Sequence, residues 1–313
     1  MSRFVLSDGV FPTMVTPFTE KNDIDYAALE KMMAWYIERQ VTGLFAVCQS
    51  SEMFFLSHGE RVKLSKAVVD IAASIDKNVE IISSGHISYS IDDQIYELKA
   101  IADTGPKAVV IITNRLARRD QSDDIWKKNA EIILEAIPNV VFGLYECPYP
   151  YKRLMSPELL KWCAATERFA FVKDTCCSVP QLEAKINALA GGSLKLYNAN
   201  SATLLTTLQM GAAGFSGVMG NMHPELYAWL CANWRTQPEK AQLLQDLLGV
   251  SSMSLGAYPV DAKYYLQLEG LPISLVTRTR PQGDLDEMAR LNMEQLRRQT
   301  AYWNDILSCK EAL

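Results

Sequence analysis

At 313 residues, 49% of them hydrophobic, the chain is long enough to bury a large core, either as two domains or as one α/β barrel. A formal net charge of −5, with lysine and arginine scattered and no basic block longer than pairs such as Lys152-Arg153 and Arg297-Arg298, argues against a nucleic-acid partner. No window approaches about 18 uninterrupted apolar residues, and the opening Met1-Ser2-Arg3-Phe4-Val5-Leu6-Ser7-Asp8 lacks the apolar stretch of a signal peptide, so neither a membrane span nor export is expected.

Along the chain, short β-branched runs alternate with longer amphipathic ones. Strands are expected over 10–17, 43–48, 79–84, 108–113, 140–145, 169–173, 194–198 and 214–219. Between them, helical periodicity marks 26–40, 59–74, 92–103, 124–137 and 157–165. Ser156-Pro157-Glu158-Leu159 carries a helix start, with serine as N-cap and proline in the first turn, and Asp25 is a second cap candidate. Eight strand–helix alternations point to eight parallel strands, most economically a closed (β/α)8 TIM barrel. A doubly wound open sheet is the alternative, but Pro12-Thr13-Met14-Val15-Thr16-Pro17 offers no Gly-rich phosphate loop after the first strand. Beyond residue 225 the pattern is helical only, over 226–234, 238–248, 261–268 and 286–307. The expected division is a barrel over 1–224, then the last barrel helix and a C-terminal helical appendage over 225–313.

Chemistry in such a barrel gathers at the C-terminal ends of its strands. Those ends carry Thr16, Gln49-Ser50-Ser51-Glu52, Asn114-Arg115, Tyr145-Glu146, Lys173-Asp174, Asn198-Ala199-Asn200 and the run from Ser216 to Asn221. Lys173 closes the apolar run Phe169-Ala170-Phe171-Val172. Two readings are open on that segment alone: a desolvated amine of lowered pKa, suited to Schiff-base chemistry, or an ammonium that snorkels to solvent. Tyr145 closes the preceding strand at the equivalent place, and neighbouring strands lie about 4.8 Å apart, so phenol and amine can meet over one ligand. Ser50-Ser51 is either an anion-binding turn or an ordinary helix cap. Seven cysteines without a CxxC pair suit a reducing cytoplasm, and three histidines (His58, His86, His223) without HxH or HExxH spacing make a metal site a poor expectation.

Five blocks stand in order: Gly9-Val10-Phe11-Pro12-Thr13-Met14-Val15-Thr16-Pro17-Phe18; Ser50-Ser51-Glu52 with Leu56-Ser57 and Glu60-Arg61; Leu144-Tyr145-Glu146-Cys147-Pro148; Val172-Lys173-Asp174-Thr175; and Gly211-Ala212-Ala213-Gly214 leading to Asn221 and Pro224. In these blocks the chain resembles the dihydrodipicolinate synthase and N-acetylneuraminate lyase family of pyruvate-dependent class I aldolases. The family's patterns read G-[TS]-T-G-E…L…E-R and Y-N-x-P, and the step of 28 residues from Tyr145 to Lys173 (173 − 145) is the family's own. The resemblance implies a TIM barrel that needs no cofactor or metal and assembles as a homotetramer or dimer. It implies that Lys173 forms an imine with the C2 carbonyl of pyruvate or a longer 2-oxo acid, while Tyr145 shuttles protons. Ser50, with the backbone N–H groups of Ser50 and Ser51, would hold the acid's carboxylate, and the backbone at Ser216 would orient the imine.

The chain departs from the family's pattern in places that bear on substrate. Gln49 replaces the first hydroxyl residue of G-[TS]-T-G-E and cannot pass a proton as a hydroxyl does, and Ser51 replaces the glycine. Thr113 aligns with the family's second relay tyrosine, which is commonly lent across a dimer interface, and is a candidate to substitute for it in part. Pro150 stands where lysine-biosynthetic members carry the arginine that grips the aldehyde's carboxylate, which argues against dihydrodipicolinate synthesis proper; Arg153 is the nearest candidate replacement. Glu146, where asparagine is usual, is a candidate to bind substrate hydroxyls or act as a base, or else a rim charge. Asp174-Thr175 resembles members acting on 2-oxo-3-deoxy sugar acids, although helix capping explains the pair equally well. The leading expectation is a Schiff-base lyase that cleaves, condenses or dehydrates a 2-oxo acid. The alternatives are a phosphate-gripping barrel using 211–220 and a non-catalytic small-acid-binding descendant.

Overall fold

Runs such as Ala108-Val109-Val110-Ile111-Ile112 are apolar on both faces, which a strand tolerates only when side chains cover it inside and out. The computed structural model describes residues 4–309, and in it eight such runs form parallel strands. They are β1 (Gly9–Val10), β2 (Gly43–Ala46), β3 (Glu80–Ser83), β4 (Ala108–Ile112), β5 (Phe142–Tyr145), β6 (Phe169–Asp174), β7 (Lys195–Asn198) and β8 (Gly214–Phe215). The sheet runs β1-β8-β7-β6-β5-β4-β3-β2. It closes on itself where Met14 N–H donates to Phe45 O and Phe45 N–H to Pro12 O, each at 3.0 Å. The closed barrel, and not the open sheet, is therefore the architecture.

Alternating with the strands are α1 (Tyr26–Glu38), α2 (His58–Ile75), α3 (Ile91–Ala102), α4 (Asp123–Ala136), α5 (Pro157–Ala165), α6 (Val179–Leu189), α7 (Leu204–Met210) and α8 (Pro224–Asn233). The expected caps form: Asp25 accepts from Ala28 N–H and Ser156 from Leu159 N–H. Ser57 and Glu60 add a reciprocal capping box at the start of α2. The sequence pattern did not single out α6 or α7; α7 has only seven residues, too few for a helical period to stand out. The first and last strands are shorter than expected. Pro12 has no N–H to give the ladder after β1, and the chain beyond Phe215 turns into a 3-10 turn at Val218–Asn221. At the β1–β8 seam the backbones approach so closely that a Cβ on Gly214 would lie 1.8 Å from Gly9 O, which leaves room for glycine only.

Rings fill the barrel's interior. Phe171 stacks on Tyr197 at 4.7 Å, Phe11 meets Tyr197 edge-on at 5.1 Å, and Phe45 meets Phe171 at 5.9 Å and Tyr145 at 5.7 Å. This aromatic plug is the floor on which the strand-end side chains stand. After α8 come α9 (Pro238–Ser251), α10 (Val260–Leu268) and α11 (Glu287–Ser308); α11 packs on α10 and α8, and His223 Nδ1 meets Thr300 Oγ1 at 3.2 Å. Among the described residues no helix is long and apolar enough to cross a membrane.

Candidate active site

Side chains alternate along a strand, so Phe171 on the inner face puts Lys173 inside as well, one step above the plug. Tyr145 is the register partner of Lys173 across β5 and β6. The Lys173 Nζ lies 4.5 Å from the centre of the Tyr145 ring and 5.8 Å from that of Phe45. Lys173 is 3% exposed, and among the described residues it has no carboxylate ion-paired with it. Burial pushes its amine down to about 8, against a smaller upward pull from the Cys48 and Cys147 thiols. The snorkelling alternative does not hold: the side chain is 3% exposed, and its amine lies against the rings of Tyr145 and Phe45. The same burial raises Tyr145 well above the ordinary phenol range, so it stays protonated at neutral pH.

The second strand's turn meets this pair. The Tyr145 hydroxyl donates to Gln49 Oε1 at 3.4 Å, and Cys147 Sγ reaches the same oxygen at 3.4 Å. Ser50 Oγ donates to Thr13 Oγ1 at 3.2 Å and also meets the Tyr258 hydroxyl, which accepts from Asn221 Nδ2 at 3.3 Å. Ser51 serves the turn itself: its hydroxyl donates to Met14 O at 2.7 Å and its N–H to Cys48 O at 3.1 Å. The Ser51 N–H expected to hold a carboxylate is thus engaged within the turn. Ser216 donates its hydroxyl to Phe11 O at 2.9 Å and its N–H to Asn198 O at 2.9 Å, leaving its carbonyl as its remaining polar group.

Two expectations are corrected, those for Glu146 and Arg153. Glu146 does not face the barrel's mouth: it follows the inward Tyr145, so strand alternation turns it outward. There its carboxylate accepts from Met155 N–H at 2.8 Å, Thr175 N–H at 2.9 Å and Lys185 Nζ at 2.5 Å, with no exposure to solvent. The buried Thr113 hydroxyl donates to Arg153 O at 2.7 Å within its own chain. The Arg153 guanidinium in turn is spent on Asp123 at 2.8 Å and on the carbonyls of Arg118 and Gln121, away from any substrate carboxylate.

Sequence reasoning passed over two wall residues. Cys147 lies two positions beyond Tyr145 and therefore shares its face, so the period of the strand was a usable signal. Tyr258 comes from the turn between α9 and α10, where nothing local marks it. A third feature ties that C-terminal region to the mouth. Glu52, in a left-handed turn at φ 61°, accepts from Arg278 N–H at 2.6 Å and Thr279 N–H at 2.8 Å, and Lys263 Nζ lies 3.5 Å from its other oxygen. The walls continue in a Phe54–Tyr149 ring pair at 4.7 Å, and Asn114 Nδ2 holds the 147–151 loop through the carbonyls of Cys147, Tyr149 and Tyr151.

The model of the dihydrodipicolinate synthetase family matches residues 6–300. A 4-hydroxy-tetrahydrodipicolinate synthase of Methanocaldococcus jannaschii is 25% identical over 269 residues, covering 84% of this chain and 89% of its own. The synthase of the same name from Acidiphilium cryptum is 28% identical over 267 residues, covering 84% and 88%. Among solved structures, a monomeric dihydrodipicolinate synthase variant superposes with a TM-score of 0.86 at 18% identity, covering 96% of this chain and 99% of that one. An E. coli K12 prophage protein of the dihydrodipicolinic acid synthase family, in complex with pyruvate, superposes at 0.83 with 22% identity, covering 94% and 98%. At those identities the two structures speak for the fold. The family match spans nearly the whole chain.

Proposed function

We propose that this chain, which belongs to the dihydrodipicolinate synthetase family, is a Schiff-base lyase whose Lys173 condenses with the C2 carbonyl of pyruvate or a longer 2-oxo acid. One observation carries the reading: an amine lowered to about 8 by burial on an aromatic floor stands 4.5 Å from the ring of the tyrosine paired with it in register. A neutral amine is the nucleophile that imine formation requires, and an amine near 8 is neutral in about a tenth of molecules at pH 7.

The steps follow from the positions. Lys173 Nζ attacks C2, and the Tyr145 hydroxyl gives its proton to the carbinolamine oxygen, which leaves as water. The protonated imine then draws the electron pair of the C3–C4 bond as that bond breaks. Tyr145, now a phenolate, takes the proton from the C4 hydroxyl, and the fragment departs as an aldehyde. Protonation at C3 and hydrolysis of the imine release the short acid and restore the lysine. Condensation is the same sequence reversed. In this reading Ser50 holds the C1 carboxylate and the Ser216 carbonyl accepts from the imine N–H. Gln49 orients the Tyr145 hydroxyl through its amide oxygen, which cannot relay a proton as a hydroxyl does.

The leaving or incoming fragment in this proposal carries no carboxylate. Pro150 stands where the family's arginine is expected, the Arg153 guanidinium is fixed on Asp123, and the rings of Phe54 and Tyr149, tilted 54° to each other at 4.7 Å, offer the fragment an aromatic wall. Dihydrodipicolinate synthesis is therefore not the activity we assign. Assembly as a homodimer or tetramer and residence in a reducing cytoplasm belong to the same proposal; the described cysteines are all unpaired thiols.

A second reading, a small-acid-binding relative without turnover, draws on one observation: the relay from Tyr145 ends at an amide oxygen. Incubation with pyruvate or longer 2-oxo acids and borohydride, followed by peptide mass spectrometry, tests the first. A reduced adduct on Lys173 supports imine chemistry, and turnover of any trapped acid separates the lyase from the binder. No adduct with any 2-oxo acid on folded protein refutes the lyase.

A further inference from the structure

The face of α6 that packs on the barrel is apolar except for one residue. Leu182, Ile186 and Leu189 are joined there by Lys185, whose side chain is 2% exposed. A buried ammonium is costly unless it is paired. Lys185 Nζ lies 2.5 Å from Glu146 Oε1 and 2.5 Å from Asp174 Oδ2, and both carboxylates are fully buried.

Those two carboxylates occupy particular places. Tyr145 and Lys173 are register partners facing inward, so the next residues, Glu146 and Asp174, both face outward at the same level of adjacent strands. Two buried carboxylates one strand apart repel unless a cation lies between them. The remaining contacts tie the two strand ends to each other and to the segment that leads into α5. Glu146 accepts from Met155 N–H and Thr175 N–H, Asp174 accepts from Cys176 N–H at 2.8 Å, and Thr175 Oγ1 donates to Glu146 O at 2.7 Å. Burial works against the ammonium, but Glu146 and Asp174 more than offset it and hold Lys185 above the ordinary lysine range. Glu146 is itself raised to about 7, by burial first and by Asp174 second.

We propose that Lys185 is a positioning residue: by bridging Glu146 and Asp174 on the outer face of β5 and β6, it fixes Tyr145 and Lys173 against each other on the inner face for the proton transfers of the reaction. The proposal rests on the lyase reading given above. It concerns the relative placement of phenol and amine, where displacement of about an ångström costs about a hundredfold in rate. Lys185 touches no substrate.

The test compares Lys185→Met and Glu146→Gln with the parent enzyme. Active sites are counted by the hydride-trapped adduct on Lys173, and turnover of a cleavable 2-oxo acid is expressed per trapped site, which removes any unfolded fraction from the comparison. The expected result is turnover per trapped site at least tenfold lower in Lys185→Met and several-fold lower in Glu146→Gln, with KM for the acid changed less than threefold. Turnover per trapped site within twofold of the parent, in whichever variant folds, overturns the proposal. If Lys185→Met gives no folded protein, Glu146→Gln decides, because it leaves the Lys185–Asp174 pair balanced in charge. A parent enzyme that traps no 2-oxo acid overturns the lyase reading and the positioning role with it; a parent that traps and variants that match it overturn the positioning role alone.

Discussion

The pH dependence of imine formation follows directly from where Lys173 stands. Its amine, held at about 8 by burial, is neutral in about 1% of molecules at pH 6 and in about half at pH 8. The initial rate of adduct formation should therefore rise about fiftyfold between those values and level off above pH 9. A lysine at its ordinary value would still be only about 0.3% neutral at pH 8, and its rate would climb tenfold per unit to beyond pH 10. The assay mixes protein with pyruvate at each pH for a fixed short time. It then quenches all samples into denaturant with excess borohydride at one common pH, so that the reduction step is constant, and the Lys173 peptide is quantified by mass. Continued log-linear rise past pH 9 would refute the argument that the aromatic plug desolvates the amine. The linked effect on stability has a defined sign. Between about 8 and 10.5 the unfolded chain binds the proton that the folded chain has released, so stability should increase with pH across that window. The gain is about 3 kcal/mol, and below pH 8 the full cost of the buried ammonium is present.

Replacing Tyr145 by Phe keeps the ring packed on Phe45 at 5.7 Å, so the adduct on Lys173 should still form, more slowly, on long incubation, while turnover falls by about 10²–10⁴-fold. Turnover within tenfold of the parent in steady-state kinetics would remove the phenol from the proton path. Glu52→Gln deletes the carboxylate that receives Arg278 N–H and Thr279 N–H and leaves Lys263 buried without its counter-charge. A loss of about 3 kcal/mol is expected in denaturant unfolding monitored by circular dichroism. An unchanged midpoint would mean that the 276–279 segment holds itself against the mouth without Glu52.

The strand–helix alternation, the closed barrel and the pairing of Tyr145 with Lys173 are properties of local pattern, and the sequence carries them. Each depends on short, continuous apolar runs separated by helical stretches, and on two polar residues closing such runs. Strand alternation also contained more than was taken from it. Glu146, one residue past an inward tyrosine, had to face outward, and Cys147, two past it, had to face in.

Other features had no local trace. The partner that makes a buried Glu146 tolerable is Lys185, on a helix 39 residues later, and the third oxygen-bearing wall of the mouth is Tyr258, from the helical appendage. Glu52 finds its donors at Arg278 and Thr279, more than 220 residues away. Thr113 and Arg153, both attractive as site residues, are spent on each other's neighbourhood. A sequence specifies which groups can donate, accept or carry charge, because those are properties of the residue. Which of them remain free for a substrate is decided only when the folded chain has satisfied its own buried polar groups, and that depends on partners brought together from across the whole barrel.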